Sequence, residues 1–102
     1  MSRIKNKLTR YKNNPKNVTF DELKSLLEAF GFEIRNYSGG SHFSVSHTKY
    51  DVIQAMEPNS IPTRKPHVLK IYVTRAIVWI EKVIILQEAE EAEKNEKDPS
   101  ID

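Results

Sequence analysis

The sequence predicts a single domain of the α+β class with the element order α-β-β-β-α. The chain has 102 residues, a usual length for one compact domain. An amphipathic helix pattern follows Thr19, alternating apolar residues follow Gly31, and a longer helix pattern begins near Ile71. One antiparallel three-stranded sheet with two helices on one face is the simplest arrangement that buries both helical stripes.

The first predicted helix has a complete start signal. Thr19 and Glu22 have the spacing of a capping box, in which each side chain binds the backbone N–H of the other residue. Gly31 is the residue type that most often ends a helix in the left-handed conformation. The apolar residues between these signals recur at helical spacing: Leu23, Leu26, Leu27 and Phe30. We therefore expect a half-buried helix.

A β-hairpin is predicted after this helix. The apolar residues alternate with polar ones at Phe32 and Ile34, and again at Phe43 and Val45. Because opposed residues must share a face of the sheet, pairing Ile34 with Phe43 is consistent with the pattern and leaves residues 37–40 as the loop. This register places Arg35 directly opposite His42 on the polar face.

Two short segments compete for the third strand. Residues 50–53 and residues 60–62 both contain strand-forming side chains, and Pro58 separates them. Pro62 has no N–H to donate to a neighbouring strand, which favours an edge position for a strand that contains it.

The long helix that begins near Ile71 has one clear apolar stripe. Its members are Val73, Ala76, Ile77, Ile80, Val83 and Ile84. Trp79, Ile85 and Leu86 fall partly outside this stripe. Two explanations remain open for them, a docking surface for a partner or absorption into a small core.

The charges divide the chain into three parts. Residues 1–17 carry +6 with no acidic residue, residues 18–86 carry +1, and residues 87–102 carry −5. We interpret these parts as a basic N-terminal extension, the folded domain, and an acidic C-terminal tail that is helical and then disordered. Solvated tails are one explanation of the charged ends, and a phosphate-binding arm is another for the basic one.

Several classes of protein are excluded or disfavoured by composition. The chain has no cysteine, so it forms neither disulfides nor thiolate zinc sites. No apolar run is long enough for a membrane span, and the basic start is not followed by the apolar stretch of a secretory signal. A cytoplasmic domain is therefore expected. Motifs for nucleotide hydrolysis and paired carboxylates for glycoside cleavage are absent.

His42 is the leading candidate for a catalytic group. An imidazole exchanges protons near neutral pH, and RNA carries its own nucleophile in the 2′-hydroxyl, so cleavage of RNA requires neither a metal nor a cofactor. The expected phosphate ligands are Arg35, which offers bidentate hydrogen bonds, and the unobstructed backbone amides near Gly40 and Ser41.

The other polar candidates have competing interpretations. His42 and His47 lie on opposite faces of a regular strand, so a shared metal ion is not expected. His47 more simply caps the end of the hairpin. His67 is either a second proton-transfer group or a solvated loop residue. Arg64 and Lys65 are either part of an RNA-binding track or an ordinary basic patch before the long helix.

The order of elements is also that of double-stranded-RNA-binding domains, and residues 18–84 resemble the HicA family of mRNA-interferase toxins. The matching segments are Val18–Leu23, Leu26–Leu27, Gly31–Phe32, Gly40–Phe43, Ile61–Pro62, Arg64–Val68 and Tyr72–Val73. The resemblance implies a compact fold like that of double-stranded-RNA-binding domains. It also implies that His42 is required for ribosome-independent cleavage of mRNA and that a cognate HicB-like antitoxin covers this histidine.

Two other functions remain open. The same sheet would serve an RNA-binding module that does not cut RNA, in which case RNA is retained intact in a salt-sensitive manner. In a catalytically inactive protein-interaction domain, Trp79, Ile85 and Leu86 would instead dock a partner.

Overall fold

The structure is a computed structural model and describes residues 2–36, 42–53, 58–63 and 66–96. The helices and strands are α1 (Ser2–Asn13), α2 (Phe20–Ala29), β1 (Phe32–Arg35), β2 (His42–His47), β3 (Ser60–Pro62) and α3 (Lys70–Glu96). A single 3-10 turn, Pro15–Asn17, joins α1 to α2. The predicted α+β class and the antiparallel three-stranded sheet are confirmed, and the described chain contains one helix more than the sequence predicted.

The strands lie in the order β1-β2-β3, and both pairs are antiparallel. The predicted register of the hairpin is wrong by two residues. Ile34 pairs with Val45, and Arg35 pairs with Ser44 instead of His42. A shift of two residues leaves every side chain on its predicted face, so the apolar pattern does not distinguish the two registers.

The third strand is the 60–62 segment, which pairs with the beginning of β2. His42 lies opposite Pro62 in this pair, and Phe43 lies opposite Ile61. β3 is an edge strand, as the proline suggested. β2 therefore pairs with β1 along residues 44–47 and with β3 along residues 42–44.

The N-terminal extension is not a solvated tail, because it forms α1. Ile4, Leu8 and Tyr11 follow the i, i+4, i+7 spacing of an amphipathic helix, and Leu8 and Tyr11 are buried in the common core. Lys12 donates to a carboxylate oxygen of Glu81 on α3 over 2.6 Å, which ties the two helices together at their surface. The basic residues of α1 are exposed: Arg3, Lys5, Lys7, Arg10 and Lys12.

Helix α2 begins and ends as predicted. The backbone N–H of Glu22 donates to Oγ1 of Thr19 at 3.2 Å, and Oε1 of Glu22 accepts from the backbone N–H of Thr19 at 3.0 Å. Its inner residues Leu23, Leu26 and Leu27 are buried.

Helix α3 is buried over a wider arc than a single stripe. The predicted residues Val73, Ala76, Ile77, Ile80 and Val83 are all buried. Trp79 is also buried, at 2% exposure, so of the two explanations left open for it the second holds: the small core absorbs this ring. Ile85 and Leu86 remain exposed, at 63% and 39%.

Beyond Gln87 the described side chains of α3 are exposed, and the helix extends beyond the core as far as Glu96. None of the helices in the described ranges is both long and apolar enough to cross a membrane.

Candidate functional site

The sheet has two faces of opposite character. The core face carries Phe32, Val45 and Ile61, which are at most 3% exposed. The opposite face, here called the open face, is polar and exposed or half-buried. It carries Glu33, Arg35, His42, Ser44, Ser46, Ser60 and Pro62. Successive side chains of a strand point to opposite faces of the sheet, which places the apolar and polar residues on different faces. The apolar residues pack against the helices.

His42 is the first residue of β2 and is exposed on the open face. Its neighbour Phe43 faces the core, where its ring packs against Phe20 of α2 with 4.7 Å between centroids. Because successive side chains of a strand point to opposite sides, the anchoring of Phe43 turns the imidazole of His42 outward. The structure therefore places His42 as the sequence predicted.

Arg35 also lies on the open face, but not where the predicted register placed it. It pairs with Ser44 and is therefore a diagonal neighbour of His42, at a typical spacing of about 7–8 Å. Its guanidinium binds Oε1 of Glu33 at 2.9 Å. The sequence analysis overlooked this acid, although residues 33 and 35 share a face by the period-two rule.

The remaining predicted phosphate ligands lie outside the described residues. Gly40 and Ser41 belong to the 37–41 segment between β1 and β2, and Arg64 and Lys65 lie between β3 and α3. Their immediate neighbours are described. The 37–41 segment leads directly into His42, and the 64–65 segment follows Thr63, one residue after the Pro62 that lies opposite His42.

His47 has a structural position on the core face. Its Nδ1 accepts from the backbone N–H groups of Lys49 and Tyr50, both at 3.0 Å. Its Nε2 lies 2.8 Å from the carbonyl oxygen of Phe30 and donates to it, since Nδ1 is already an acceptor. The ring packs edge-on against Phe32. The imidazole thus fixes the backbone that follows β2, as its predicted capping role requires.

His67 is exposed and belongs to the helical side of the molecule. Residues Thr19 and His67 form an isolated antiparallel bridge, and the N–H of Val68 donates to the carbonyl oxygen of Val18 at 2.8 Å. This position is at the start of α2. The structure therefore does not bring His67 and His42 together on one face of the sheet.

Charge around the start of α2 is organised by the capping box. The hydrogen bond from the backbone N–H of Thr19 lowers the pKa of Glu22, and the nearby positive charge of Arg10 lowers it further. In the part of the chain that the structure describes, no group of three or more His, Cys, Asp or Glu side chains is arranged to hold a metal ion.

The open face thus offers an exposed imidazole and a guanidinium on a polar surface. These groups are suited to proton transfer and to binding an anionic backbone. No protein family, no curated protein and no solved structure matches this chain.

Proposed function

We propose that the protein is a metal-independent endoribonuclease that cleaves mRNA, the toxin of a toxin–antitoxin pair, with a fold like that of double-stranded-RNA-binding domains. The observation that carries the proposal is the exposure of His42 at the edge of the open face, with Arg35 as its diagonal neighbour. The order of HicA-like motifs along residues 18–84 supports the same function.

In the proposed reaction, the 2′-hydroxyl of the RNA attacks the adjacent phosphorus, and the bond to the 5′-oxygen of the next nucleotide breaks. His42 either removes the proton from the 2′-hydroxyl or protonates the departing 5′-oxygen. Arg35 neutralises part of the negative charge on the phosphate, together with the backbone amides near Gly40 and Ser41 and the side chains of Arg64 and Lys65. The products are a 2′,3′-cyclic phosphate and a free 5′-hydroxyl.

A HicB-like antitoxin is the proposed partner. His42, Arg35 and Ser46 are exposed, so a protein that covers the open face would block access of RNA to the imidazole. Inhibition by such a partner needs no change in the fold of the toxin.

The test compares His42→Ala with Ser46→Ala, a change on the same strand and the same face. We expect His42→Ala to lower cleavage of a synthetic RNA by about 10²–10⁴-fold, which is the usual contribution of an acid–base group. Ser46→Ala should cleave at the parent rate. Equal cleavage by a folded His42→Ala variant would exclude the role of His42, and loss of activity in a chelator would exclude the metal-independent reaction.

RNA binding without cleavage is a second candidate, and one observation favours it. His67, the other candidate for proton transfer, bridges Thr19 at the start of α2 and is not on the sheet, so it does not supply a second proton-transfer group beside His42. Under this alternative the protein retains RNA in a salt-sensitive manner, the RNA stays intact, and expression causes no growth arrest.

A further inference from the structure

Helix α3 carries an apolar row that the fold leaves unpartnered. Ile71, Val78 and Ile85 are 58%, 42% and 63% exposed. They are spaced by seven residues, so they lie along one side of the helix. This side of α3 also includes Arg75 and Lys82, and it continues along the helix through Ala89, Ala92 and Glu93. We call it the outer face. Lys70, Ile71, Thr74, Arg75 and Val78 form a shallow groove at its N-terminal end.

The charges on α3 are segregated along its length. Between Lys70 and Leu86 the helix carries three basic residues, and its one acid, Glu81, is bound to Lys12 of α1. From Gln87 to Lys94 it carries four acids and one base. On the outer face, the first half of the helix carries Arg75 and Lys82, and the second half carries Glu93. The two halves of the outer face are therefore complementary in charge.

The second half of α3 is also available for contact, because it extends beyond the core. The described side chains from Gln87 to Lys94 are all exposed. The helix has 27 residues and is about 40 Å long, in a molecule whose longest dimension is 58 Å. Glu90 binds Lys49 and Tyr50 at 2.9 and 3.0 Å, which holds the beginning of this extension to the core without using its outer face.

We propose that the outer face binds the outer face of a second copy of this chain, with the two α3 helices antiparallel. A two-fold axis near residue 84 places Arg75 of each copy beside Glu93 of the other. Val78 then lies over Ala89 and Ala92, whose small side chains allow the helices to approach closely. One symmetric contact thus buries Val78 and Ile85 of the apolar row together with the outer side of the acidic extension.

A second copy fits better than another occupant because the complementary charge is present on the same helix. An antiparallel pair brings basic and acidic halves together twice, whereas a parallel pair would bring like charges together. The contact uses α3 alone, so it does not depend on the proposed ribonuclease activity.

The experiment measures the mass of the full-length chain in solution by sedimentation equilibrium, over a concentration series. We expect the parent to dimerise, and the reversals Arg75→Glu and Glu93→Arg to weaken the dimer at least about tenfold each. The double variant Arg75→Glu/Glu93→Arg should restore dimerisation, because the opposite charges face each other again. Lys5→Glu, an exposed reversal on α1, is the control for net charge, and circular dichroism checks the fold of each variant.

A parent that stays monomeric over the whole series overturns the proposal. A dimer that the single reversals weaken no more than Lys5→Glu does would place the contact elsewhere. Failure of the double variant to recover would exclude the antiparallel arrangement. Val78→Asp is a test of the apolar row that does not involve the charged pairs, and a dimer that survives it also overturns the proposal.

Discussion

The imidazole of His47 lies directly over the backbone of Gly31. A β-carbon built at Gly31 would stand 2.9 Å from Nε2 of His47, closer than β-carbons approach non-bonded atoms in proteins. Gly31 also has a φ of +93°, in the region that disfavours other residues. Gly31 thus ends α2 and also leaves space for the imidazole of His47. That imidazole in turn binds the backbone that follows β2.

We expect Gly31→Ala to destabilise the protein. The left-handed backbone conformation alone costs an L-residue about 1–2 kcal/mol, and the contact with His47 adds to this cost. The free energy of unfolding, measured in urea, should therefore fall by more than the backbone cost alone.

A double-mutant cycle separates the two causes. In a His47→Ala background the imidazole is gone, so Gly31→Ala should cost only the backbone contribution. If Gly31→Ala costs the same in both backgrounds, the crowding by His47 contributes nothing.

The fold could be predicted from the sequence where a sequence pattern is compatible with only one local structure. The capping box at Thr19 and the stop at Gly31 define α2, and both are found where expected. The hairpin register was wrong because Ile34 keeps its face whether it pairs with Phe43 or Val45. α1 was missed because Leu8 and Tyr11 stand among lysine and arginine residues, although their spacing is helical.

The candidate site could be predicted only in part. The outward position of His42 follows from strand alternation next to an aromatic residue, and it was predicted correctly. The pairing of Arg35 with Glu33 depends on the rotamers of two side chains on one face of β1, which the pattern does not determine. The burial of Trp79 depends on the packing of the whole core, which the single apolar stripe of α3 did not reveal.

The burial of α1 against the core predicts a specific loss of stability. Leu8→Ala should lower the free energy of unfolding by about 2 kcal/mol, at the low end for a buried leucine, because Leu8 lies near the surface. Ile4→Ala is the matched control on the same helix, since Ile4 is 37% exposed and should lose far less. Chemical denaturation of both variants measures the difference. Equal small effects would show that α1 contributes no packing.

The capping box predicts a dependence of stability on pH. Folding lowers the pKa of Glu22, so the ionised carboxylate stabilises the folded state above the pKa of an unfolded glutamate, about 4.3. This contribution is lost as the pH falls through the lowered pKa. Glu22→Gln should therefore be less stable than the parent above about pH 5, and the difference should shrink on acidification.

Thermal unfolding of the parent and of Glu22→Gln between pH 2 and 7 measures this effect. Glu28→Gln is the control, because Glu28 is an exposed acid on the same helix that takes no part in the cap. A constant difference between the parent and Glu22→Gln over the whole range would contradict the role of the ionised carboxylate.

The ion pair on the open face predicts a gain of RNA affinity on removal of its acid. Glu33→Gln frees the guanidinium of Arg35 from its 2.9 Å contact and removes a negative charge from the open face. An exposed pair of this kind is worth about 0–1 kcal/mol, so the affinity for a short single-stranded RNA should rise by up to about fivefold at low salt. Fluorescence anisotropy with labelled RNA measures the change, and Glu28→Gln, with the same change of net charge, is the control. Arg35→Gln should lower the affinity and abolish the benefit of Glu33→Gln. If both glutamate variants raise the affinity equally, net charge alone explains the gain and Arg35 is not a phosphate ligand.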